Sequence, residues 1–359
     1  MMCLLAPPRP QSGPLAGVAL ALLLAVSGCA GCDGRPTDGL QGDVRSNGSS
    51  TVGPLAEAVA EEFMRDNPGV RVTVGVSGTG GGFGKFARGE SDISNASRPI
   101  KPEEIADAAA GGVTFVELPV AYDGLAVVVH PENTWATCLS LGELKAIWEP
   151  ESAVDSWADI RPGFPDREIV LYGPGTDSGT YDYFTGAVVG EEGESRTDFA
   201  ASEDDNVIVQ GVEGDVGALG FFGLAFYEAN AERLRLVAVD STASGPPRPA
   251  RCILPTAETV SDGRYAPLAR PEFIYVRTSS LANPAVATFV ETFLALAPDL
   301  AREVGAVPLP PATMALVRAR FTSRTEGSAF SGIPAGTRVD AVLNSASAPP
   351  TPRPAPPAP

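Results

Sequence analysis

The run Val76-Ser77-Gly78-Thr79-Gly80-Gly81-Gly82-Phe83-Gly84-Lys85-Phe86, with Asp92-Ile93-Ser94-Asn95-Ala96-Ser97-Arg98-Pro99-Ile100 after it, carries more structural information than any other part of the chain. Val70, Val72, Val74 and Val76 alternate, which predicts a strand that delivers Ser77 at its carboxyl end. Gly78 to Gly82 then read as a turn nearly free of side chains, and Phe83, Phe86 and Ala87 recur at helical spacing. A strand that feeds such a turn into a helix leaves backbone N–H groups pointing at one spot, where the helix dipole adds positive potential. That combination suits an anion such as phosphate or sulfate. Ser94, Asn95, Ser97 and Arg98 add hydroxyls, an amide and a fork-shaped cation a short distance on.

A single Gly-rich turn is often only a connector. Here the device recurs. Asn47-Gly48-Ser49-Ser50-Thr51-Val52-Gly53-Pro54 opens a helix at Pro54, and Tyr172-Gly173-Pro174-Gly175-Thr176-Asp177-Ser178-Gly179-Thr180 opens one that carries Tyr181 and Phe184. Three Ser/Thr/Gly turns at three helix starts can together replace the water shell of a tetrahedral oxyanion.

The 359 residues suffice for two domains. With 26 Lys and Arg against 44 Asp and Glu, the net charge of −18 and the lack of a basic stretch argue against nucleic acid as a partner. An acidic protein can still hold an anion, because a buried site feels local dipoles more than distant screened charge. His130 is the single histidine, so a His-based metal cluster is ruled out and a Ser-His-Asp triad would have to use His130. No metal and no cofactor are expected.

Residues 1–28 read as an export signal: Arg9, the apolar run Leu15 to Val26, then Ser27-Gly28 before Cys29. Val26-Ser27-Gly28-Cys29 resembles a lipoprotein box, in which Cys29 would carry the lipid and residues 29–42 would be a tether. In the body, helices are expected at 54–66, 102–110, 141–148 and 284–297, and strands at 70–76, 113–118, 168–172, 234–239 and 273–276. Tyr122 to Val129 is an apolar run expected to leave one lobe for the other. Strands alternating with helices imply an α/β fold, whose ligands sit at the carboxyl ends of the strands. Residues 345–359, rich in Pro, Ala and Ser, are expected to be a disordered tail. Cys138 and Cys252 are the only cysteines left in the exported body, and an exported pair is expected to form a disulfide.

With these residues in view, the chain resembles the periplasmic phosphate-binding proteins of ABC importers, the PstS-like family, over about residues 44–304. The most specific segments are Gly48-Ser49-Ser50-Thr51, Ser77 to Phe83, Asp92 to Arg98 and Gly175 to Thr180. The resemblance implies two α/β lobes joined by a two-crossing hinge, with the ligand in the cleft: 43–122 and 259–344 in lobe 1, 123–258 in lobe 2. It implies contacts from Ser50 and Thr51, from Thr79, and from Ser178, Gly179 and Thr180, with Ser49, Ser77, Gly80 and Ser97 beside them. Some members place an Asp where this chain has Arg98 and an Arg where it has Pro174; others carry Ser-Arg as here. Arg98 is therefore expected to be the only side-chain cation of the site. Asp177 is the first choice to accept the ligand's proton, with Asp123 and Asp92 in reserve. The implied role is capture of inorganic phosphate outside the inner membrane by a lipid-anchored monomer that delivers it to a permease.

Other functions fit parts of the pattern. A sulfate- or molybdate-binding protein would lack the need for an acceptor carboxylate, since those anions are fully ionised near neutral pH. A secreted phosphatase or serine hydrolase would use Ser178, with little support from one histidine. A phosphate sensor or a structural surface lipoprotein would look the same in sequence.

Overall fold

The structure, a computed structural model, describes residues 39–347. The export signal, Cys29 and residues 348–359 lie outside the described residues. The chain opens with β1 (Gly42–Gly48), α1 (Gly53–Asp66), β2 (Val70–Val76), α2 (Gly78–Ala87), β3 (Ile93–Ala96), α3 (Pro102–Ala110) and β4 (Phe115–Val129). There follow β5 (Cys138–Ser140), α4 (Leu141–Trp148), α5 (Trp157–Ile160), β6 (Val170–Pro174), α6 (Gly179–Val188), β7 (Ala200–Ser202), α7 (Asp205–Gly214) and β8 (Ala218–Gly223). Then come α8 (Leu224–Glu228), β9 (Arg235–Leu236), β10 (Ala238–Asp240), α9 (Ala257–Ser261), β11 (Ala269–Arg277), α10 (Pro284–Glu303), β12 (Val307–Pro308), α11 (Pro311–Thr322) and α12 (Val339–Ser347).

The strands form a curled mixed sheet in the order β2-β1-β3-β11-β4-β8-β6-β7, with β9 and β12 also paired to β4. In one half β1 runs parallel to β2 and β3; in the other β6 runs parallel to β7 and β8. β4, fifteen buried residues long, joins them: it pairs with β11 up to Gly124 and with β8 from Leu125 onward. The expected strand at 113–118 and the apolar run at 122–129 are thus one continuous element. β11 brings the chain back, antiparallel to β4 and β3. Pro271 is tolerated within it because β3 pairs only with Phe273 to Val276, so no neighbour there needs the missing N–H.

Local sequence explains the elements that aim the site. α1 starts with Pro54 in its first turn and buries Leu55, Val59 and Phe63, and Asn67-Pro68 ends it. Its face packs on α10, with Phe63 edge-on to Phe289 at 5.3 Å. The glycines at 78–82, read from sequence as a turn, are instead the first turn of α2. Burial of Phe83 and Phe86 offsets their poor helix propensity, an instance of packing overriding local preference. In the second half Trp148 gathers Phe184, Phe199 and Phe221 within 5.0–5.6 Å. α10 is apolar and long enough to cross a membrane, but its apolar face is buried on α1 and β1.

Cys138 and Cys252 form the expected disulfide, closing a separation of 114 residues. The expected tail begins too early, since 345–347 are the last turn of α12. α12 carries Val339, Val342 and Leu343 inward, so its apolar spacing outweighs the Ser and Ala content that suggests disorder.

Candidate functional site

Three strand ends meet from the two halves. β1 delivers Gly48 and β2 Val76 from one, β6 delivers Pro174 from the other, and each is followed within a few residues by a helix start. In the first turn Ser49 is buried, its amide donates to Asn95 O, and its Oγ accepts from Thr51 N at 3.2 Å. Ser50 beside it is half-buried. In the second, Ser77 precedes α2 and donates to Asn47 Oδ1, while Thr79 is fully buried. Thr79 Oγ1 lies 3.2 Å from Ser97 Oγ and accepts from Ser97 N, so the second turn and the end of β3 act as one unit. In the third, Ser178 caps α6 by accepting from Thr180 N.

The turns of the two halves touch. A Cβ at Gly179 would stand 2.5 Å from Thr79 Oγ1 and 2.6 Å from Ser97 Oγ, so only glycine allows α6 to begin this close to the first half. Gly78, at φ +71°, likewise sits under Asp177, whose carbonyl accepts from Gly80 N at 3.4 Å. Thr51 Oγ1 and Thr180 Oγ1, from opposite halves, are 3.4 Å apart.

The cation among these hydroxyls is Arg270, which sequence reasoning misses. It lies directly across from Asp123 in the β11–β4 register and is fully buried. Its Nε and Nη2 donate to Asp123 Oδ2 at 3.1 and 2.8 Å. Nη2 also donates to Thr180 Oγ1 at 2.8 Å and Thr51 Oγ1 at 3.4 Å. Nη1 is buried without a hydrogen-bond partner, an unusual state for a charged donor. Asp123 Oδ1 accepts from Leu224 N. Burial pushes the Asp123 carboxyl up, and Arg270 works against that shift.

Arg98 is therefore not the only cation at the cleft, and its guanidinium is committed elsewhere. Nη1 and Nη2 form a bidentate pair with Glu104 at 2.8 Å, Nη1 also donates to Pro99 O, and Nε donates to Asp182 at 2.8 Å. Glu104 is fixed in place because it also accepts from Lys101 N in the capping box of α3. Asp182 belongs to α6, so Arg98 ties the two halves together, and Lys101 Nζ joins it at 3.1 Å.

The carboxylates also differ from expectation. Asp177 is exposed, and it is its backbone that faces the other half. Asp92 stands at the amino end of β3, away from the turns, and accepts from Arg45 N, Ser280 Oγ and Arg277 Nη2. Asp123 is the one of the three that lies among the cluster. Ser178 shows no nucleophile arrangement, since its Oγ is a helix cap and His130 Nδ1 accepts from Glu132 N beyond the far end of β4. Among the described residues no group of His, Cys, Asp and Glu is placed to hold a metal ion.

Comparison with known proteins gives a consistent picture. Residues 33–295 match the PBP superfamily domain. The chain is 44% identical over 314 residues to Protein SphX of Synechocystis sp., covering 87% of this chain and 90% of that protein. It is 37% identical over 293 residues to the phosphate-binding protein PstS of Staphylococcus saprophyticus, covering 81% and 88%. Among solved structures, a possible phosphate-binding protein from Planctomyces limnophilus is 41% identical with a TM-score of 0.60, covering 80% of this chain and 99% of that one. A putative phosphate ABC transporter substrate-binding protein from Clostridium perfringens, with bound phosphate, shares the fold at a TM-score of 0.63 and 24% identity, covering 75% and 100%.

Proposed function

The chain belongs to the PBP superfamily and within it to the PstS family of phosphate-binding proteins, and on that premise we propose how its own residues hold the anion. It binds phosphate outside the cytoplasm for uptake by an ABC permease. The family is one of substrate-binding proteins, and we read this member as having no catalytic role.

The observation that carries the assignment is that Thr51 and Thr180, from opposite halves, meet on Arg270, whose Nη1 lacks a partner, while Thr79 and Ser97 press against Gly179 beside Thr180. In this reading Arg270 supplies the charge-assisted donor, and the hydroxyls and backbone N–H groups of the three turns replace the phosphate's water. Ser49, Ser50, Ser178 and Gly179 shape the turns. Asp123 holds Arg270 in its rotamer and balances its charge. Arg98 and Lys101 hold the halves closed through Asp182. Calorimetry of the phosphate-stripped body against phosphate, arsenate, sulfate and molybdate tests this: phosphate and arsenate bind, while sulfate and molybdate bind far more weakly. Equal affinity for all four would remove the assignment.

The anchor belongs to the same reading. Cys29 carries a lipid and holds a monomeric protein at the envelope surface. Cys29→Ala then releases the protein from the membrane fraction without changing phosphate binding; an unchanged fractionation rules this out.

A further inference from the structure

Thr180 is not alone on α6 in reaching Arg270. Tyr183 stands three residues further along, on the same face of the helix. Its side chain is buried, and the Arg270 guanidinium lies over its ring, 6.0 Å from the centroid. One helix face thus holds Arg270 twice: Thr180 Oγ1 accepts from Nη2 at 2.8 Å, and the Tyr183 ring covers the guanidinium. The Tyr183 hydroxyl is used in both directions. It donates to Ala269 O, next to Arg270 in β11, at 2.9 Å and accepts from Gly336 N at 2.9 Å. Burial pushes this hydroxyl up to about 12, so it keeps the proton that the bond to Ala269 O needs.

Gly336 lies in a strap, residues 328–338, that leads from α11 into α12. The first half holds the start of the strap. The fully buried Glu117 carboxyl of β4 accepts from Ser328 Oγ, Ala329 N and Phe330 N, and Phe330 packs edge-on to Phe273 at 5.1 Å. Just past the strap, Val339 N donates to Tyr122 OH, also from β4, at 3.4 Å. The strap and β11 therefore go with the first half, whereas α6 belongs to the second. Both bonds of the Tyr183 hydroxyl cross between the halves. A groove of about 320 Å³ lined in part by Tyr183, Gly336 and Thr337 runs alongside, so water can replace the hydroxyl at Gly336 N once Tyr183 withdraws.

We propose that Tyr183 is a positioning residue: its hydroxyl latches α6 onto β11 and the strap only in the closed cleft, and this latch keeps Arg270 where its Nη1 meets the anion. This rests on the phosphate reading above and adds the residue that sets how long the anion is held. Opening carries α6 away from the first half, so both bonds break before phosphate leaves. Two neutral hydrogen bonds made only in the closed form shift the closed-to-open ratio about tenfold. That shift falls on release of the anion rather than on its capture.

The test compares Tyr183→Phe with Tyr181→Phe. Tyr181 is a matched control: it is buried on the same helix, and its hydroxyl meets Gly193 O and Ser195 Oγ, both within the second half. Each protein, shown to be folded by thermal melting, is loaded with radiolabelled phosphate and chased with unlabelled phosphate to give the off-rate. Calorimetry gives Kd, and the on-rate follows from the two. Tyr183→Phe should raise the off-rate about tenfold and change the on-rate by less than about threefold. Tyr181→Phe should leave the off-rate within about twofold of wild type even where it lowers the melting temperature as much. Hydrogen exchange on wild type needs no variant. Phosphate should slow exchange at the Gly336 amide at least about tenfold more than at the Ala329 and Phe330 amides, which Glu117 holds whether the cleft is open or closed. An unchanged off-rate in folded Tyr183→Phe, an equal rise in both variants, or Gly336 exchange that phosphate leaves alone would overturn the latch while leaving phosphate binding in place. A wild-type protein that takes up no phosphate would overturn the parent reading as well.

Discussion

Arg270→Ala is the perturbation that separates this site from the one expected from sequence. The substitution removes the only guanidinium bonded to both Thr51 and Thr180 among the described residues, together with the unpartnered Nη1. A hydrogen bond to a charged group contributes about 1.5–3 kcal/mol, and burial in the closed cleft places this one at the upper end. Loss of about 2.7 kcal/mol weakens binding about a hundredfold. The same change strands Asp123, and removing one partner of a buried pair typically costs about 3–5 kcal/mol of stability. Arg270→Lys keeps the charge but not the fork, so it should fold better and recover only part of the affinity. Calorimetry with phosphate on both variants, each shown to be folded by near-UV circular dichroism, gives the answer. A folded Arg270→Ala that binds phosphate within about threefold of wild type, a difference of roughly 0.65 kcal/mol, would refute the reasoning.

Three further outcomes follow from the geometry. Arg98→Ala breaks the buried contacts to Glu104 and Asp182 and should lower stability by about 3 kcal/mol, with a smaller loss of phosphate affinity than Arg270→Ala; the reverse ranking would restore Arg98 as the ligand's cation. Reducing Cys138–Cys252 frees a loop of 114 residues and should cost up to about 4 kcal/mol on the chain-entropy account, read as a lower denaturant midpoint. Asp205, buried at the start of α7, contributes most to the ligand-free protein below about pH 4, where both folded and unfolded carboxyls are protonated. Its stabilisation is lost as pH rises from its ordinary 3.8 to about 7, by at most about 4 kcal/mol, so Asp205→Asn should flatten the fall in melting temperature over that window; an unchanged profile would contradict the burial argument.

The parts of the site legible in sequence are those built by local chemistry. Each of the three turns combines a strand ending, small hydroxyl residues and a helix start within one short window, so Thr51, Thr79 and Thr180 can be read from the chain alone. Arg270 cannot, because its place depends on which residue of β4 lies opposite it, a register that no local pattern reveals. A signal is nonetheless present: Arg270 and Glu272 lie within the buried part of a mainly apolar strand, and charges in such a run need partners. Arg98 misleads because it adjoins Ser97, although Glu104 downstream, at a capping position, marks an alternative partner. Asp177 misleads for a related reason: adjacency to Ser178 says nothing of which way its side chain points.

A crystal structure of residues 39–347 grown with phosphate tests the assignment of the site to the three turns and Arg270. Tetrahedral density is expected within hydrogen-bond distance of Arg270 Nη1, Thr79 and Thr180, in the closed cleft between the turns. Density instead at Arg98, or in the separate groove of about 320 Å³ that includes Pro99, Tyr183 and Ile333, would contradict that assignment.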